Sequence, residues 1–257
     1  MEAAEILLDK LERGSEGTLE GYLLKALNEG GSSVFFCNVH MLMLASEDSQ
    51  LAAAMSEVDL LIPDGVPVAW LMRRLGVAHA SVFRGYQGML TVCRQAESLG
   101  KPVGLFGATD AVLAALGRRL VTEVPGLRIT FSHAPPFADE AGLDLDSSSI
   151  SEINAQNLHA LFIGLGCPKQ EKWIGRHAAR LNCALLGVGA AFDWLAGSEP
   201  MPPQWMERSG LVWLFRFLQN PLKMWKRYLI YNSKFLIFCL KMVVSGRRLG
   251  SFGGLRS

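Results

Sequence analysis

The chain has 257 residues, of which 50% are apolar and 19% charged. This composition suits a globular protein with a large core and excludes disordered, collagen-like and disulfide-rich miniprotein classes. The net charge of +1 hides an asymmetry, because residues 1–207 hold 15 basic and 24 acidic side chains, whereas residues 208–257 hold 10 basic and none acidic. The last fifth of the chain is therefore expected to face an anionic partner.

Apolar runs in the chain alternate with segments of helical spacing. The runs predict buried strands, and the segments between them predict amphipathic helices. In chain order, strands are predicted at residues 33–37, 59–62, 102–106, 128–131, 159–163 and 184–188, and helices at 41–55, 66–75, 88–99, 111–124 and 169–181. This alternation predicts an α/β protein with a Rossmann-like, mostly parallel and doubly wound sheet.

The cysteines and the N-terminus bear on the cellular compartment. The chain has an odd number of cysteines, with no CxxC pair and no histidine at zinc-ligand spacing: Cys37, Cys93, Cys167, Cys183 and Cys239. This argues against a disulfide framework and a structural metal site. The N-terminus lacks the apolar run of a signal peptide, and no run reaches the roughly 18 apolar residues of a spanning helix. We expect a reducing, cytoplasmic setting.

Three glycine-rich loops follow predicted strands and precede predicted helices, at residues 104–109, 164–171 and 187–193. In a sheet of this type, ligands bind beyond the carboxyl ends of the strands, where backbone NH groups at helix starts can receive phosphate. Any one loop could be no more than a tight turn. Because no loop completes GxGxxG, a standard dinucleotide fold is disfavoured. Together the three loops favour a nucleotide or sugar-phosphate ligand.

Asp64 is the candidate catalytic carboxylate. It follows an apolar strand in Leu60-Leu-Ile-Pro-Asp-Gly65, where apolar neighbours would raise its pKa and suit it to act as a general base. The alternative is a simple Asp-Gly turn.

Arg84, Lys169, Gln170 and Glu171 are candidate binding residues. The cations and amide could hold a diphosphate and a sugar hydroxyl. Each of these residues could instead be a surface residue, and a glutamate at a helix start is also explained by the helix dipole.

Asp144 and Asp146 match the DxD spacing of metal-binding sites in many nucleotide-sugar enzymes. They lie in the acidic, serine-rich segment 138–149, which we interpret as a solvated loop that runs into a helix cap. We therefore predict no metal site here, and neither GxSxG nor HExxH occurs.

A long basic helix is predicted at residues 221–244, between Asn220-Pro221 and Gly246. Lys223, Arg227, Lys234 and Lys241 are spaced by 4, 7 and 7 residues and share one helical face, beside many apolar residues. This pattern favours an interfacial helix on an anionic membrane. The alternative is a helix packed on the domain or in an oligomer interface.

The motifs together resemble the WecG/TagA/CpsF family of glycosyltransferases. The resemblance rests on motifs in this order: Cys37-Asn-Val-His-Met-Leu, Pro63-Asp-Gly, Arg84-Gly, Gly164-Leu-Gly-Cys-Pro-Lys-Gln-Glu-Lys-Trp173, Gly187-Val-Gly-Ala-Ala-Phe-Asp193, Ala196-Gly, Trp213-Leu-Phe-Arg216 and Asn220-Pro. These motifs span most of the chain.

The resemblance implies inverting transfer of a hexosyl unit from a UDP-sugar to a polyprenyl-diphosphate-linked sugar. The enzyme would be peripheral, on the cytoplasmic face of the plasma membrane, and would use no metal or other cofactor. Asp64 would deprotonate the acceptor hydroxyl, Asn38 and Gln170 would contact the sugar or acceptor, and Arg84 would lie near the diphosphate. The helix starts at Gly107, Gly166 and Gly189 would help to neutralise that diphosphate.

Three positions depart from the family pattern. Phe36 replaces a threonine, Met201 replaces the arginine of an Arg-Ala-Pro motif, and Val212 replaces a glutamate. We hypothesise that Arg216 or Arg208 supplies the missing cation to the leaving diphosphate. These changes leave the donor open among UDP-glucose, UDP-ManNAc and UDP-ManNAcA types, with exopolysaccharide synthesis as one setting.

The predicted organisation is a catalytic domain at 1–200 and a membrane-docking appendage at 201–257. A non-catalytic module that binds a nucleotide sugar at the membrane is the main alternative, because it would need the same loops and basic helix. A dehydrogenase is disfavoured by the incomplete glycine fingerprint. No nucleic-acid partner is expected, because the basic segment is too apolar.

Overall fold

A computed structural model describes residues 1–136 and 143–249, apart from the side chains of Glu29, Lys223, Lys226 and Arg227. Its six strands form one parallel sheet in the order β2-β1-β6-β5-β3-β4. The strands are β1 (Ser33–Cys37), β2 (Leu60–Pro63), β3 (Val103–Gly107), β4 (Ile129–His133), β5 (Ala160–Gly164) and β6 (Ala184–Gly187). Every predicted strand is present, and the α/β, Rossmann-like fold is confirmed.

The helices lie on both faces of this sheet. They are α1 (Glu2–Lys10), α2 (Glu16–Glu29), α3 (Val39–Leu44), α4 (Ser49–Glu57), α5 (Val66–Arg74), α6 (Gly85–Ser98), α7 (Asp110–Glu123), α8 (Ser147–Ala155), α9 (Lys169–His177), α10 (Ala191–Ala196), α11 (Gln204–Arg208), α12 (Val212–Gln219) and α13 (Pro221–Val244). The single helix predicted at 41–55 is wrong. The segment divides into α3 and α4 because Asp48 caps a new helix by accepting a hydrogen bond from the Leu51 amide (3.0 Å).

Two apolar layers hold the helices to the sheet. Along β1, Val34 and Phe36 join the layer of α2, α6, α7 and α10, whereas Phe35 and Cys37 join the layer of α1, α3, α4 and α9. This follows from the two-residue period of a strand whose faces are both covered. Burial of each such phenylalanine contributes about 1.5–3 kcal/mol.

The parallel sheet brings all its carboxyl ends to one edge. Asn38 follows β1 and Asp64 follows β2. Gly107 is the last residue of β3, residues 165–168 follow β5, and Gly189 lies in the loop after β6. The sequence order jumps from β2 at one end of the sheet to β3 near the other, so the crevice lies at the centre, as in doubly wound folds. The candidate residues therefore share one edge.

The C-terminal helix α13 packs one face on the domain. Phe235, Phe238, Cys239 and Met242 are buried in the layer of α1 and α3, and the Tyr231 ring lies 4.8 Å from His40 of α3.

Cations of α13 and of the segment after it also contact the domain. Lys234 pairs with Glu47, Lys241 pairs with Glu5 (2.6 Å), and Arg247 pairs with Glu5 (2.8 Å) and Asp9. Two of the four cations of the predicted basic face are thus engaged internally, while the side chains of Lys223 and Arg227 lie outside the described residues.

The opposite face of α13 is apolar and exposed. Leu222, Leu229, Leu236, Leu240 and Val244 each leave more than half of their surface accessible, and Leu236 is 68% exposed. Within residues 1–136 and 143–249, none of the helices has the length and apolar character needed to cross a membrane.

The DxD segment forms a helix cap and an ion pair. Asp146 accepts a hydrogen bond from the Ser149 amide (2.8 Å) and caps α8, while Asp144 pairs with Arg176 (2.9 Å). The predicted capping role is confirmed for Asp146. The part of the acidic loop at 137–142 lies outside the described residues.

Candidate functional site

Asp64 lies where β2 ends and α5 begins. Its backbone NH donates to the Cys37 carbonyl of β1 (2.8 Å), and Gly65 then adopts φ +113°, which lets the chain turn into α5. Burial raises the pKa of Asp64 to about 6, opposed by the positive charges of Arg84 and Arg216 and supported by the negative charge of Glu207. A carboxylate with this pKa is a stronger base than an exposed one and is still ionised near neutral pH.

Arg84 connects the carboxyl edge of the sheet to the C-terminal segment, which holds α11, α12 and α13. It precedes α6, where its backbone NH donates to Oε1 of Gln87 (2.9 Å). Its Nη2 donates to the Glu207 carbonyl oxygen (2.9 Å), and its Nε lies 3.9 Å from Oε1 of Glu207. Contacts with α11 therefore fix the guanidinium, whose positive charge lowers the pKa of Asp64.

Arg216 reaches the same place from α12. Its guanidinium lies over the Trp194 ring at 5.7 Å, and its charge lowers the pKa of Asp64. Trp194 in turn makes an edge contact with Tyr86, with ring centroids 6.3 Å apart. Arg208 is exposed, and it is absent from the charges that shift the pKa of Asp64. Of the two hypothesised cations, the structure brings Arg216 to the site.

Asn38 caps α3 at the end of β1. Its Oδ1 accepts from the Met41 amide (3.2 Å), which fixes the side chain at the sheet edge. The cap uses only the carbonyl oxygen, so the Nδ2 group can donate to a ligand. Cys37, one residue earlier, is buried between the charges of Asp64 and Glu171, and burial raises the pKa of its thiol. Asn38 is therefore fixed at the same sheet edge as Asp64.

Gln170 and Glu171 form a buried polar pair at the start of α9. Nε2 of Gln170 donates to Oε1 of Glu171 (2.7 Å), and Glu171 is fully buried. Because Glu171 is buried, a surface interaction with the helix dipole does not by itself explain its position. Lys169 is the first residue of the same helix.

The three candidate glycines are required by the turns themselves. Gly107 has φ +124°, and a Cβ there would come within 2.6 Å of the Gly164 backbone. The Gly166 amide donates to Oε1 of Gln170 (3.2 Å), and the Gly189 amide donates to the Ile163 carbonyl (3.3 Å). Because these two amides already have partners, phosphate binding by the glycine loops stays a prediction.

The arrangement combines one basic carboxylate with two cations at a sheet edge. That set can accept a proton from a hydroxyl and stabilise a departing anion. Among the described residues, no group of three or more histidine, cysteine, aspartate or glutamate side chains could hold a metal ion.

Sequence reasoning missed Tyr86, Trp194 and Glu207. Glu207 is the last acidic residue before the wholly basic C-terminal stretch, but no local pattern marks its contact with the site.

A family model matches nearly the whole chain, and curated relatives match about three quarters of it. The model of the glycosyl transferase WecG/TagA/CpsF family matches residues 6–249. Curated relatives named N-acetylglucosaminyldiphosphoundecaprenol N-acetyl-beta-D-mannosaminyltransferase include those of Bacillus spizizenii and Bacillus subtilis, each 27% identical over 201 residues, or 77% of this chain and 75% of the relative. A Staphylococcus aureus relative of the same name is 25% identical over 203 residues, or 78% of this chain and 76% of its own. The chain is a glycosyltransferase and belongs to the WecG/TagA/CpsF family.

Proposed function

We propose that the protein transfers a hexosyl unit from a UDP-sugar to a polyprenyl-diphosphate-linked sugar in cell-surface glycan or exopolysaccharide synthesis. The single observation that carries this proposal is Asp64, with its raised pKa, beside Arg84 and Arg216 at the carboxyl edge of the sheet. The relatives' names, which specify an N-acetylmannosaminyl group and an N-acetylglucosaminyl-diphospho-undecaprenol acceptor, make those substrates the first pair to test.

Asp64 is the general base in this proposal. Its carboxylate takes the proton from the acceptor hydroxyl as that oxygen attacks the anomeric carbon of the donor. The bond from the anomeric carbon to the phosphate oxygen breaks, and UDP leaves with the electron pair. A single displacement inverts the anomeric centre, and the beta linkage in the relatives' names agrees with inversion from an alpha-linked donor.

Arg84 and Arg216 stabilise the leaving diphosphate. Negative charge grows on UDP as the bond breaks, and fixed cations stabilise that charge in the transition state. Arg216 therefore supplies the positive charge that the family pattern places at position 201, where this chain has Met201. We also propose that the reaction needs neither metal nor another cofactor, since two cations suffice to offset the charge that develops.

The protein is proposed to bind the cytoplasmic face of the plasma membrane through α13. The exposed apolar face supports this proposal, because Leu229, Leu236 and Leu240 lie along one side of the helix and can enter the headgroup boundary. Because Lys234 and Lys241 pair with acidic residues of the domain, apolar contact should contribute more to membrane binding than the charge pattern alone suggests.

The test is a turnover assay with a panel of UDP-sugars and vesicles that hold polyprenyl-diphosphate-sugar acceptors. Wild-type protein should release UDP and extend the lipid with one donor in the presence of EDTA, while Asp64→Asn should bind the donor without turnover. Absence of product with every donor, despite measurable UDP-sugar binding, would refute the proposed reaction.

A further inference from the structure

Glu207 is a buried carboxylate of α11, in the C-terminal segment, and it contacts Arg84 and Tyr86 at the carboxyl edge of the sheet. Only 8% of its surface is exposed. Its main-chain carbonyl accepts from Nη2 of Arg84 (2.9 Å), and its Oε1 lies 3.9 Å from Nε of the same guanidinium. Its Oε2 accepts from the Tyr86 hydroxyl (3.3 Å). One residue of α11 thus engages two residues at the start of α6.

These contacts give the C-terminal segment two points of attachment to the site. Glu207 attaches α11 to α6, and Arg216 attaches α12 to Trp194 of α10. The contact between the Tyr86 and Trp194 rings links the two attachments. If the first attachment were lost, the Arg84 and Tyr86 side of the site would lose its side-chain contact with α11, although α13 would still pack on the domain.

Glu207 also contributes negative charge at the base. The groups whose charges act on Asp64 are Arg84, Arg216 and Glu207, and the titratable Cys37 and Tyr86 face it as well. Among them, Glu207 raises the pKa of Asp64. The same charge acts on Tyr86, whose pKa is raised to about 12 by burial first and by Glu207 next.

We propose that Glu207 is a positioning residue that ties the C-terminal segment to Arg84 and Tyr86 and so keeps both Arg84 and Arg216 at the Asp64 carboxylate. The inference rests on the proposed glycosyl transfer. In this proposal Glu207 has two roles. Its side chain holds α11 to Arg84 and Tyr86, and its negative charge raises the pKa of Asp64. Two substitutions separate these roles.

Glu207→Ala removes the side-chain contacts and the charge but keeps the main-chain contact with Arg84, whereas Glu207→Gln removes only the charge. The alanine variant should lose about tenfold or more in kcat, because small misplacements of charged groups at a reacting centre have large effects. The glutamine variant can still accept from the Tyr86 hydroxyl and keeps the main-chain carbonyl, so its kcat should stay within about threefold of wild type. In both variants the acid limb of kcat/KM should move to lower pH, because Asp64 no longer faces the negative charge.

Thermal unfolding of each variant shows whether it folds. If Glu207→Ala does not fold, Glu207→Gln and Tyr86→Phe decide: the first should move the acid limb, and the second, which removes only the hydroxyl contact, should lower kcat. Glu152→Gln, at an exposed position of α8, is the matched control and should change neither quantity.

The inference would be overturned if the acid limb of kcat/KM in Glu207→Gln stayed at its wild-type pH. It would also be overturned if a folded Glu207→Ala or Tyr86→Phe protein kept the wild-type kcat. Failure of the proposed function would be distinguishable from failure of this inference, because the wild-type protein itself would then make no product.

Discussion

Replacing Asp64 by asparagine is expected to stabilise the folded protein while it removes the activity. Burial raises the pKa of this carboxyl from 3.8 to about 6, so the folded state holds the proton more tightly than the unfolded chain. The ionised side chain therefore destabilises the fold at neutral pH. A difference of about 2 pKa units corresponds to about 3 kcal/mol, which asparagine would recover because it cannot ionise.

The stabilisation should depend on pH with a definite sign. Above about pH 6 the full gain of Asp64→Asn is present. It shrinks as the pH falls towards 3.8 and is lost only below that value, where the wild-type carboxyl is protonated in both states. Urea unfolding of both proteins at pH 7.5 and pH 4 gives the two differences in the free energy of unfolding.

Glu152→Gln, at an exposed position of α8, controls for the exchange of a carboxylate for an amide and should change stability by no more than about 0.5 kcal/mol. An Asp64→Asn protein that is no more stable than wild type at pH 7.5 would refute the reasoning.

Three further predictions concern the base, the cations and the membrane. First, kcat/KM should fall about tenfold between its plateau and pH 5, because an acid of pKa about 6 is only about one tenth ionised there; a flat profile down to pH 5 would contradict the raised pKa of Asp64. Second, Arg216→Ala should lower kcat by about a hundredfold, in line with loss of one group that stabilises a leaving anion, whereas exposed Arg208→Ala should keep wild-type turnover; equal rates of both variants and wild type would remove Arg216 from the mechanism. Third, Leu229→Asp combined with Leu236→Asp on the exposed face of α13 should abolish pelleting with anionic vesicles, and unchanged pelleting would exclude this face as the membrane contact.

Five strands were predictable because they are buried on both faces and are therefore continuous apolar runs, whereas the edge strand β4 is only partly buried. All six were predicted within two residues of their observed ends. The division of α3 from α4 was not predicted, because apolar spacing continues through residues 41–55 while one side-chain cap at Asp48 decides the break. The short helices α11 and α12 are too brief to show a helical period.

The site was predictable from the fold where its residues stand next to strand ends, whereas Arg84 and Arg216, which follow no strand directly, were predicted from sequence motifs. Asp64 and Asn38 follow strands directly, so topology alone brings them to one edge. Glu207 lies 123 residues from its partner Arg84, and no local pattern announces such a contact. The ion pairs of Lys234 and Lys241 were also not predictable from the sequence. A basic helix face has the same residue pattern whether it contacts lipid or the acidic side chains of α1 and the segment after α3.

The most direct test of the account measures product formation by wild type and Asp64→Asn with UDP-N-acetylmannosamine and other UDP-sugars. The assay contains vesicles with N-acetylglucosaminyl-diphospho-undecaprenol and EDTA, and the lipid product is weighed by mass spectrometry. The account predicts one extended lipid from wild type and none from the variant, although the variant still binds the donor. Equal product from both proteins would contradict the assignment of Asp64 as the base, and a strict requirement for magnesium or manganese would contradict the metal-independent mechanism.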